Sequence, residues 1–139
     1  MLSGDSITYS ETREITLDHI VRLYRENGWS SANKPQQLHA ALINSDGLIS
    51  AWDGDSLVGI GNAISDGHLV VYYPHLLVLP DYQRAGIGKS IMERLKSKYQ
   101  GFHQHMLVAD RDAVEFYEHC GFRRAGKTEP MWIYDGDDH

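Results

Sequence analysis

Cysteine is nearly absent from this sequence, which has one, Cys120, among 139 residues. A single thiol can form neither an internal disulfide nor a cysteine-based zinc site, so the chain must fold on its apolar core alone. A core is available, since 42% of the residues are hydrophobic and a domain of about 150 residues buries close to 70% of its unfolded surface. The lack of disulfides favours a reducing compartment, and we expect a cytoplasmic protein.

Long hydrophobic runs are absent as well. The longest apolar stretches span only a few residues, whereas a membrane-spanning helix needs roughly 20. Residues 1–5 contain neither the basic segment nor the apolar segment of a secretory signal, so we expect no export. The sequence therefore favours a protein without membrane partners.

Basic residues are fewer than acidic ones. The chain has 13 Lys and Arg residues against 19 Asp and Glu residues, which gives a formal net charge of -6. A protein that holds nucleic-acid phosphates needs an excess of basic residues, so nucleic-acid binding is excluded as the main function. The acidic balance instead favours a cationic partner or substrate.

The chain also lacks internal repeats and linkers rich in proline, glycine or serine, so we interpret residues 1–139 as one domain. After a short strand over residues 7–9, apolar residues at helical spacing predict a helix over 16–27 with Thr16 as its N-cap. Pro35 suits the first position of a second helix, because an N–H at that position would have no helical partner.

After Gly47 the apolar pattern changes to the period of strands. Asp-Gly pairs separate the apolar runs and predict a meander of three antiparallel strands over residues 48–52, 57–64 and 68–79. Pro74 lies inside the third of these strands and has no N–H to donate to a neighbour. We therefore expect that strand to be broken or bulged at Pro74.

The second half of the chain alternates between helix and strand patterns. The spacing predicts a helix over 88–99, a strand over 103–109 and a helix over 110–120. Turn residues then predict a final hairpin made of residues 122–125 and 131–134. Together these elements predict an α/β fold in which a mixed sheet carries helices on both faces.

The most informative segment is residues 76–90, where a strand runs through a glycine-bearing turn into a helix. The unpaired N–H groups at a helix start and the positive end of the helix dipole together form an anion site. Gly86 and Gly88 let the main chain approach a phosphate closely. Arg84 and Lys89 add positive charge, so the segment predicts phosphate binding.

Two nucleotide-binding motifs are excluded for this segment. The Walker A motif requires a glycine where the chain has Gln83, and the dinucleotide fingerprint requires a third glycine where it has Ile91. What remains is the pattern Q-x-x-G-x-G, which ends at Gly88, preceded by L-x-V-x-P, which ends at Pro80. A glycine-assisted turn that binds no ligand is the alternative interpretation.

A second motif, A-x-x-F-Y-x-x-x-G-F, extends from Ala113 to Phe122. With these two motifs separated by a helix and a strand, the sequence resembles the GNAT superfamily of acetyl-CoA-dependent N-acetyltransferases. The resemblance implies a central, mostly antiparallel sheet whose fourth and fifth strands, here residues 68–79 and 103–109, splay apart. It also implies that coenzyme A binds in that gap and that acetyl-CoA is the cosubstrate.

The resemblance assigns cofactor-binding roles to both sides of this gap. Main-chain groups of the fourth strand would pair with the pantetheine arm, and the turn would bind the pyrophosphate. Asp110 stands where relatives often have an asparagine that holds the pantetheine, and Ala85 stands where an arginine is common. The full set that the resemblance implies is Leu76, Leu77, Val78, Gln83, Arg84, Ala85, Gly86, Ile87, Gly88, Lys89, Ser90 and Asp110.

Tyr117 matches the general acid of the family, which protonates the departing thiolate of coenzyme A. Helical periodicity alone would make Tyr117 a core aromatic residue, so this role comes from the resemblance. The attacking alkylammonium must lose a proton, which costs about 4.6 kcal/mol at pH 7 for a pKa of about 10.4. His75, His105 or a chain of water molecules could accept that proton.

These observations predict transfer of an acetyl group from acetyl-CoA to a primary amine of a small molecule, by direct attack in a ternary complex. Residues 48–95 bear a weaker likeness to the arylalkylamine branch of the family, which favours an aromatic amine. A noncatalytic acyl-CoA sensor and acetylation of a protein amine are the alternatives, and a homodimer remains open. We expect no metal, because His103 and His105 lack an evident third ligand.

Overall fold

The computed structural model describes residues 6–138; residues 1–5, where no secretory signal is expected, and residue 139 lie outside the described residues. Six strands and four α-helices form the fold within this range. The strands are β1 (Ile7–Ser10), β2 (Gly47–Asp53), β3 (Ser56–Ser65), β4 (Val70–Tyr72), β5 (Leu76–Val78) and β6 (Gln104–Met106). The helices are α1 (Leu17–Glu26), α2 (Pro35–Ile43), α3 (Ile87–Ser97) and α4 (Val114–His119), and the 3₁₀ turns are Ser30–Asn33, Pro80–Tyr82 and Arg111–Ala113.

The strands form one sheet in the order β1-β2-β3-β4-β6, and β5 also pairs with β3. Every pair is antiparallel except β4 and β6, which are parallel. α1 packs on β3 and β5 on one face of the sheet, called the α1 face below, with α2 packed against α1. α3 packs on β2, β3 and β5 on the other face, called the α3 face, and α4 packs on the first turn of α3. The prediction of a mixed, mostly antiparallel sheet with helices on both faces is confirmed. Among the described residues, none of the helices has the length and apolar character to cross a membrane.

The first two helices begin where the sequence predicts. The side chain of Thr16 accepts a hydrogen bond from the main-chain N–H of His19 at 3.3 Å, which makes Thr16 the N-cap of α1. Pro35 occupies the first turn of α2. Both helices bury one apolar side, and Ile20, Leu23 and Leu42 are almost completely shielded from solvent.

Small residues on the α3 face of β2 and β3 let α3 pack closely against the sheet. Gly59 and Gly61 share this face with Ala63. A Cβ atom added at Gly61 would lie 2.7 Å from Cγ2 of Ile91 and 3.0 Å from Cδ1 of Leu95. The fully buried side chains of α3 therefore occupy the space that larger strand residues would need.

The strand predicted over residues 68–79 is interrupted at Pro74, as expected. Tyr72 lies opposite Ile64 of β3, whereas Leu76 lies opposite Gly61, so four residues on one strand span three on the other. This one-residue insertion is a β-bulge. Because side chains alternate between faces along a strand, the insertion moves the residue after Pro74 to the opposite face of the sheet.

β4 and β5 take different neighbours on the two sides of the bulge. Tyr72 pairs with Met106 of β6, and the N–H of Tyr73 donates to the carbonyl of Met106 at 2.9 Å. β5 instead pairs with β3, and no pairing joins β5 to β6 in the part of the chain that the structure describes. The gap between β5 and the segment after β6 is the predicted splay, and β6 is shorter than the predicted strand over 103–109.

The predicted C-terminal hairpin is wrong, because residues 122–138 form no strand. The end of the chain instead crosses to the connection between α1 and α2. Asp138 accepts hydrogen bonds from the main-chain N of Ser30 at 3.2 Å and from its Oγ at 2.7 Å, and Lys34 forms an ion pair with Asp135. These contacts draw residues 131–138 away from residues 122–125, so the two predicted strands do not meet.

Replacing Gly61 by alanine tests the close packing of α3. The added methyl group would collide with Ile91 and Leu95, and overpacking a core costs about 1–3 kcal/mol. We expect Gly61→Ala to lower the free energy of unfolding by that amount in a urea titration. The control Thr8→Ala, at an exposed position of β1, should change it by less than about 0.5 kcal/mol. Wild-type stability in Gly61→Ala would contradict this packing.

Candidate active site

The turn that precedes α3 contains two residues in the left-handed region. Gly86 is the N-cap of α3 with a φ of 82°, a conformation that glycine adopts without steric cost. Arg84 has a φ of 66° and is the one non-glycine residue with positive φ among residues 6–138. Such a conformation costs on the order of 1 kcal/mol or more for a residue with a Cβ atom, and residues held in it cluster at ligand-binding and catalytic sites.

The start of α3 offers uncapped main-chain donors. The first helical hydrogen bond runs from the N–H of Ser90 to the carbonyl of Gly86 at 3.0 Å. The N–H groups of Ile87, Gly88 and Lys89 therefore have no helical acceptor. No side chain caps this end and no acidic residue lies in its first turn. The arrangement has the electrostatics of an anion site.

Three elements converge at Gly88. A Cβ atom added there would lie 3.3 Å from Cζ of Phe116 on α4 and 3.8 Å from Cγ2 of Val78 on β5. Because Gly88 has no side chain, α4 can approach the first turn of α3. The predicted turn, the predicted strand and the helix that carries Tyr117 are thus brought together.

The main chain of β5 faces the gap at alternate residues. The N–H of Asn62 donates to the carbonyl of His75 at 3.1 Å, and the N–H of Leu79 donates to the carbonyl of Val58 at 2.8 Å. Antiparallel ladders alternate, so Leu77, midway between His75 and Leu79 and opposite Ile60, also faces β3. The main-chain groups of Leu76 and the N–H of Val78 therefore point the other way, towards the gap, and the carbonyl of Val78 on that side accepts a hydrogen bond from Gln83.

Gln83 braces the turn. Its Nε2 atom donates to the carbonyl of Val78 at 3.0 Å and to Oδ1 of Asn27, the C-cap of α1, at 3.3 Å. The side chain therefore fastens the turn to β5 and to the end of α1. The sequence motif predicted a role for Gln83 but gave no sign of its contacts with Val78 and Asn27.

The charged and polar side chains of the turn remain close to solvent. Arg84 is exposed, and Lys89 lies with its Nζ atom 4.0 Å from the carboxylate of Glu93. Ser90 is partly buried, and its Oγ atom accepts a hydrogen bond from Nε of Arg94 at 3.3 Å. The cations of the turn can therefore reach an anion at the start of α3.

Tyr117 is partly buried between two aromatic rings. The centroid of its ring lies 5.0 Å from that of Phe116 and 6.1 Å from that of Phe122. Burial raises the pKa of Tyr117 to about 12, and the neighbouring Cys120 and Asp110 act in the same direction. The hydroxyl is therefore protonated at neutral pH, which is the state that a proton donor requires.

His75 lies on the α1 face, where its Nδ1 atom is 2.7 Å from the hydroxyl of Tyr24. Burial raises the pKa of Tyr24 far above its usual value, so this hydroxyl keeps its proton. Donation of that proton to Nδ1 satisfies both groups and leaves the ring proton of His75 on Nε2. Burial also lowers the pKa of His75 to about 4. Neither nitrogen is then a free acceptor at neutral pH.

His105 lies on the α3 face and has a similar partner. Its Nδ1 atom is 2.8 Å from the hydroxyl of Tyr73, and the two rings stack with centroids 5.9 Å apart. Burial and the nearby charge of Lys96 lower the pKa of His105, while a hydrogen bond with the main chain of Tyr99 acts in the opposite direction. The two histidines that the sequence proposed as bases are therefore on opposite faces of the sheet.

The tyrosine partners of these histidines were not found by sequence reasoning. Tyr24 and His75 are 51 residues apart, and Tyr73 and His105 are 32 residues apart. Helical periodicity marks Tyr24 only as a core residue, so no local signal was available. Within residues 6–138, no group of three or more His, Cys, Asp and Glu side chains is arranged to hold a metal ion.

The family of the chain follows from comparison with known proteins. A sequence model described as "Acetyltransferase (GNAT) domain" matches residues 9–131. The chain therefore belongs to the GNAT acetyltransferase family, as its two motifs predicted.

Solved structures of the same fold include bacterial proteins. A GNAT family acetyltransferase from Streptococcus pneumoniae has a TM-score of 0.80 and 31% identity, over 94% of this chain and 99% of that one. A candidate acetyltransferase from Deinococcus radiodurans has a TM-score of 0.85 and 26% identity, over 97% and 92% of the two chains. An aminoglycoside N-acetyltransferase in complex with CoA, at 14% identity and a TM-score of 0.68 over 94% of each chain, shares the fold alone.

The curated relatives are named as N-acetyltransferases. GCN5-related N-acetyltransferase 3, chloroplastic, of Arabidopsis thaliana is 30% identical over 132 residues, which are 92% of this chain and 53% of that protein. The N-acetyltransferase ycf52 of Pyropia yezoensis, named as uncharacterized, is 30% identical over 123 residues, 84% of this chain and 70% of that protein. The chain spans 53%, 37% and 36% of the first three curated relatives that it matches.

The low pKa of His75 predicts a specific dependence of stability on pH. The pKa is about 4 in the folded chain and about 6.5 in an unfolded one. Between these values the unfolded state binds more protons, so stability falls as the pH drops from about 6.5 to about 4, by up to about 1.4 kcal/mol per pH unit. We expect His75→Gln to remove this part of the pH dependence in urea titrations.

The matched control is His103→Gln, because His103 is an exposed histidine outside this buried cluster. His103→Gln should keep the wild-type dependence of the unfolding free energy on pH. A wild-type slope in His75→Gln would contradict the burial of a neutral His75.

Proposed function

We propose that this chain is an acetyl-CoA-dependent N-acetyltransferase that acts on a primary amine of a small molecule by direct attack in a ternary complex. The observation that carries the proposal is the uncapped start of α3 beside the gap between β5 and β6, in a chain of the GNAT family. An anion site next to a strand whose gap-facing edge has no strand partner among the described residues fits two parts of coenzyme A, its pyrophosphate and its pantetheine amides.

The pyrophosphate is assigned to the turn and the first turn of α3. The free N–H groups of Ile87, Gly88 and Lys89 would bind its oxygens, with the helix dipole favouring negative charge. Arg84 would supply a positive charge in the turn, since the neighbouring Ala85 has none. The set proposed here is that predicted from sequence, with Gln83 acting through its bond to Val78: Gln83, Arg84, Ala85, Gly86, Ile87, Gly88, Lys89 and Ser90.

The pantetheine arm is assigned to the gap. The alternation of the β5 ladder favours Leu76 and Val78 as its main-chain partners, whereas Leu77 is engaged by β3. Asp110, at the start of the 3₁₀ turn that leads into α4, would lie on the other side of the gap. Acetyl-CoA bound there would supply an activated acetyl group. An N–H of β5 held towards the thioester oxygen would stabilise the negative charge that develops on it by about 3–4 kcal/mol.

Tyr117 is proposed as the catalytic acid. Its raised pKa keeps the hydroxyl protonated until the thiolate leaves, and its helix packs against Gly88 at the edge of the gap through Phe116. The hydroxyl would donate its proton to the sulfur as the carbon–sulfur bond breaks. The ring holds its place by packing against Phe116 and Phe122.

A chain of water molecules is proposed to carry the proton away from the amine. Of the two histidines, His75 is held neutral by burial with its Nδ1 atom bonded to Tyr24, and His105 is bonded to Tyr73. Both arrangements favour a positioning role over a proton-accepting one. His75 would then hold the side chain of Tyr24 in position on the α1 face beside the bulge.

The acceptor is proposed to be a small cationic amine. The net charge of -6 favours a positively charged substrate, and Trp29 lies 5.1 Å from His75 between ring centroids, so an aromatic surface borders the α1 side of the bulge. This surface supports an arylalkylamine as the favoured acceptor. Structural neighbours named as acetyltransferases of glucosamine-6-phosphate and of aminoglycosides are 13% and 14% identical and share only the fold.

The compartment and the domain organisation are part of the proposal. We propose a cytoplasmic location, because the chain has a single cysteine. Two of the curated relatives are named chloroplastic. We likewise propose that residues 1–139 form one catalytic domain, which the continuous sheet supports.

Replacing Tyr117 by phenylalanine tests the catalytic acid. Loss of the proton donor should lower the turnover number by about 100-fold or more, while affinity for coenzyme A, measured by calorimetry, should stay within about twofold of wild type. Turnover would be measured as acetyl-CoA consumption with a panel of aromatic amines, polyamines, amino acids and peptides.

The matched control is Tyr9→Phe, a partly buried tyrosine of β1 whose ring packs under Arg94. It should keep wild-type turnover. Unchanged turnover in Tyr117→Phe would reject Tyr117 as the acid, and a wild-type protein that binds coenzyme A but consumes no acetyl-CoA across the panel would favour a sensor.

Replacing Arg84 by alanine tests the pyrophosphate site. The strained backbone at Arg84 and its exposed guanidinium suit an anion contact, which predicts a fall in affinity for coenzyme A of about five- to tenfold. Pantetheine, which lacks the pyrophosphate, should bind Arg84→Ala and wild type equally. Arg124→Ala, at an exposed position of the C-terminal segment, is the control. Equal affinity of Arg84→Ala and wild type for coenzyme A would contradict the assignment.

A further inference from the structure

Asn62 of β3 is a buried polar residue opposite the bulge. It is 4% exposed, and its side chain leaves β3 on the α1 face, opposite to the face that Gly61 and Ala63 share. A buried amide costs free energy unless its polar atoms are hydrogen-bonded, whereas an apolar side chain of the same shape carries no such cost. The contacts of Asn62 therefore have to explain why an amide stands at this position.

Asn62 pairs with His75 through both its main chain and its side chain. The register of β3 and β5 places Leu76 opposite Gly61, so His75 comes opposite Asn62. Facing residues of a regular antiparallel ladder exchange two main-chain hydrogen bonds. Here the N–H of Asn62 donates to the carbonyl of His75 at 3.1 Å, but the N–H of His75 donates to Oδ1 of Asn62 at 3.0 Å. The side-chain amide thus takes the place of a main-chain carbonyl at the end of the ladder.

A second contact determines which way round the amide of Asn62 lies. Its Nδ2 atom donates to Oγ of Ser45 at 2.9 Å, and Oγ of Ser45 donates its proton to the carbonyl of Ala41 in α2 at 2.8 Å. Because that hydroxyl proton is already used, Oγ of Ser45 can only accept from the amide. The amide oxygen must therefore face the N–H of His75, and α2 holds it there through Ser45.

These bonds fix the peptide group between His75 and Leu76. The carbonyl of His75 and the N–H of Leu76 belong to one planar trans peptide, so they point in opposite directions. Since Asn62 holds that carbonyl towards β3, the N–H of Leu76 points into the gap between β5 and the chain after β6. The bond to Oδ1 fixes the preceding peptide, between Pro74 and His75, in the same way. Asn62 thus orients the peptide groups on both sides of His75.

We propose that Asn62 is a positioning residue for acetyl transfer, which aims the N–H of Leu76 at the thioester oxygen of acetyl-CoA by holding both main-chain polar groups of His75. The inference rests on the proposed function, because it requires acetyl-CoA to bind in the gap. Asn62 itself touches neither the acetyl group nor the amine and acts only through His75.

The chemistry of the transfer shows what this orientation would change. The amine nitrogen bonds to the carbonyl carbon and gives up a proton to water, while the carbon–sulfur bond breaks and the thiolate takes the proton of Tyr117. Negative charge develops on the carbonyl oxygen only as the amine attacks. A misdirected N–H at Leu76 therefore slows the chemical step and leaves the binding of coenzyme A, which has no acetyl group, unchanged.

Replacing Asn62 by leucine tests the proposal, because leucine has the same branched shape without a hydrogen-bonding atom. Turnover is measured with the amine panel and divided by the number of coenzyme A sites that calorimetry counts, so unfolded chains do not enter. We expect turnover per site to fall by about 10- to 100-fold. The KM for acetyl-CoA and the affinity for coenzyme A should stay within about twofold of wild type.

The matched control is Ser50→Ala on β2. Ser50 is likewise buried, and its Oγ atom donates to the carbonyl of Ser10 and accepts from Nε1 of Trp52. Ser50→Ala therefore removes buried polar contacts between β1 and β2 and leaves Asn62 and His75 as they are. It should lower the stability of the fold and keep wild-type turnover per site.

The second readout is the carbonyl stretching band of bound acetyl-CoA in isotope-edited infrared spectra. This band moves to lower frequency when the carbonyl oxygen accepts a hydrogen bond. Wild type and Ser50→Ala should show the same displacement relative to free acetyl-CoA, and Asn62→Leu should lose most of it. A loss of stability alone does not move the band, because only folded chains bind acetyl-CoA.

Ser45→Ala keeps the proposal testable if Asn62→Leu does not fold. The substitution removes the acceptor of Nδ2 and leaves Asn62 in place, so its amide is free to turn away from His75. We expect turnover per site to fall by about three- to tenfold, because small errors of orientation are costly in the chemical step. The displacement of the carbonyl band should shrink with it.

The outcomes separate this inference from the proposed function. Wild-type turnover and an unchanged carbonyl band in Asn62→Leu or, if that variant does not fold, in Ser45→Ala would overturn the role of Asn62 and leave acetyl transfer intact. The same holds if bound acetyl-CoA shows no displaced band in an active wild type. A wild-type chain that binds no acetyl-CoA, or binds it without transfer, would overturn the proposed function and this inference together.

Discussion

A strand cannot continue its ladder through proline, and the bulge at Pro74 determines where everything else in the candidate site lies. On one side of it, β4 pairs with β6; on the other, β5 pairs with β3. The gap between β5 and the chain after β6 exists because one residue is inserted. The same insertion places Tyr73 and His75 on opposite faces of the sheet, although both would share a face in a regular strand.

The bulge is held in position by buried polar contacts. The main-chain N–H of His75 donates to Oδ1 of Asn62 at 3.0 Å, and Nδ2 of Asn62 donates to Oγ of Ser45 at 2.9 Å. The hydroxyl of Tyr24 satisfies the ring of His75 on the same face. Unpaired polar groups in these positions would be costly, so the network stabilises the irregular backbone that separates β4 from β5.

Small residues on β3 and at the start of α3 let the sheet, α3 and α4 pack closely together. Because Gly59 and Gly61 leave room on the α3 face, α3 lies close against the sheet, and its first turn reaches the end of β5. Gly88 likewise leaves room for α4, and the ring of Phe116 fills the space beside Gly88. α4 also carries Tyr117, which therefore lies in the same region. Close packing of backbone against side chain thus brings the uncapped start of α3, the open edge of β5 and Tyr117 together.

Much of this was predictable from local chemistry. Thr16 and Pro35 mark helix starts, the Asp-Gly pairs mark turns, and the glycine pattern marks the turn that leads into α3, because each depends on the conformational preferences of a few neighbouring residues. The two sequence motifs, which end at Gly88 and at Phe122, were sufficient to place the chain in its family. The C-terminal hairpin was mispredicted, since turn residues and alternation cannot show that Ser30 and Lys34 hold the end of the chain elsewhere.

By itself, the sequence determined most of the helices and strands as far as α4, the interruption at Pro74 and the glycine-bearing turn before α3, all of which follow from interactions between residues close in the chain. Tertiary structure alone decided which face His75 occupies, which tyrosine each histidine contacts, and where the apolar C-terminal segment lies. Those outcomes depend on packing and hydrogen bonds between residues that are tens of positions apart, such as Tyr24 and His75, and no local pattern encodes which distant partner is closest.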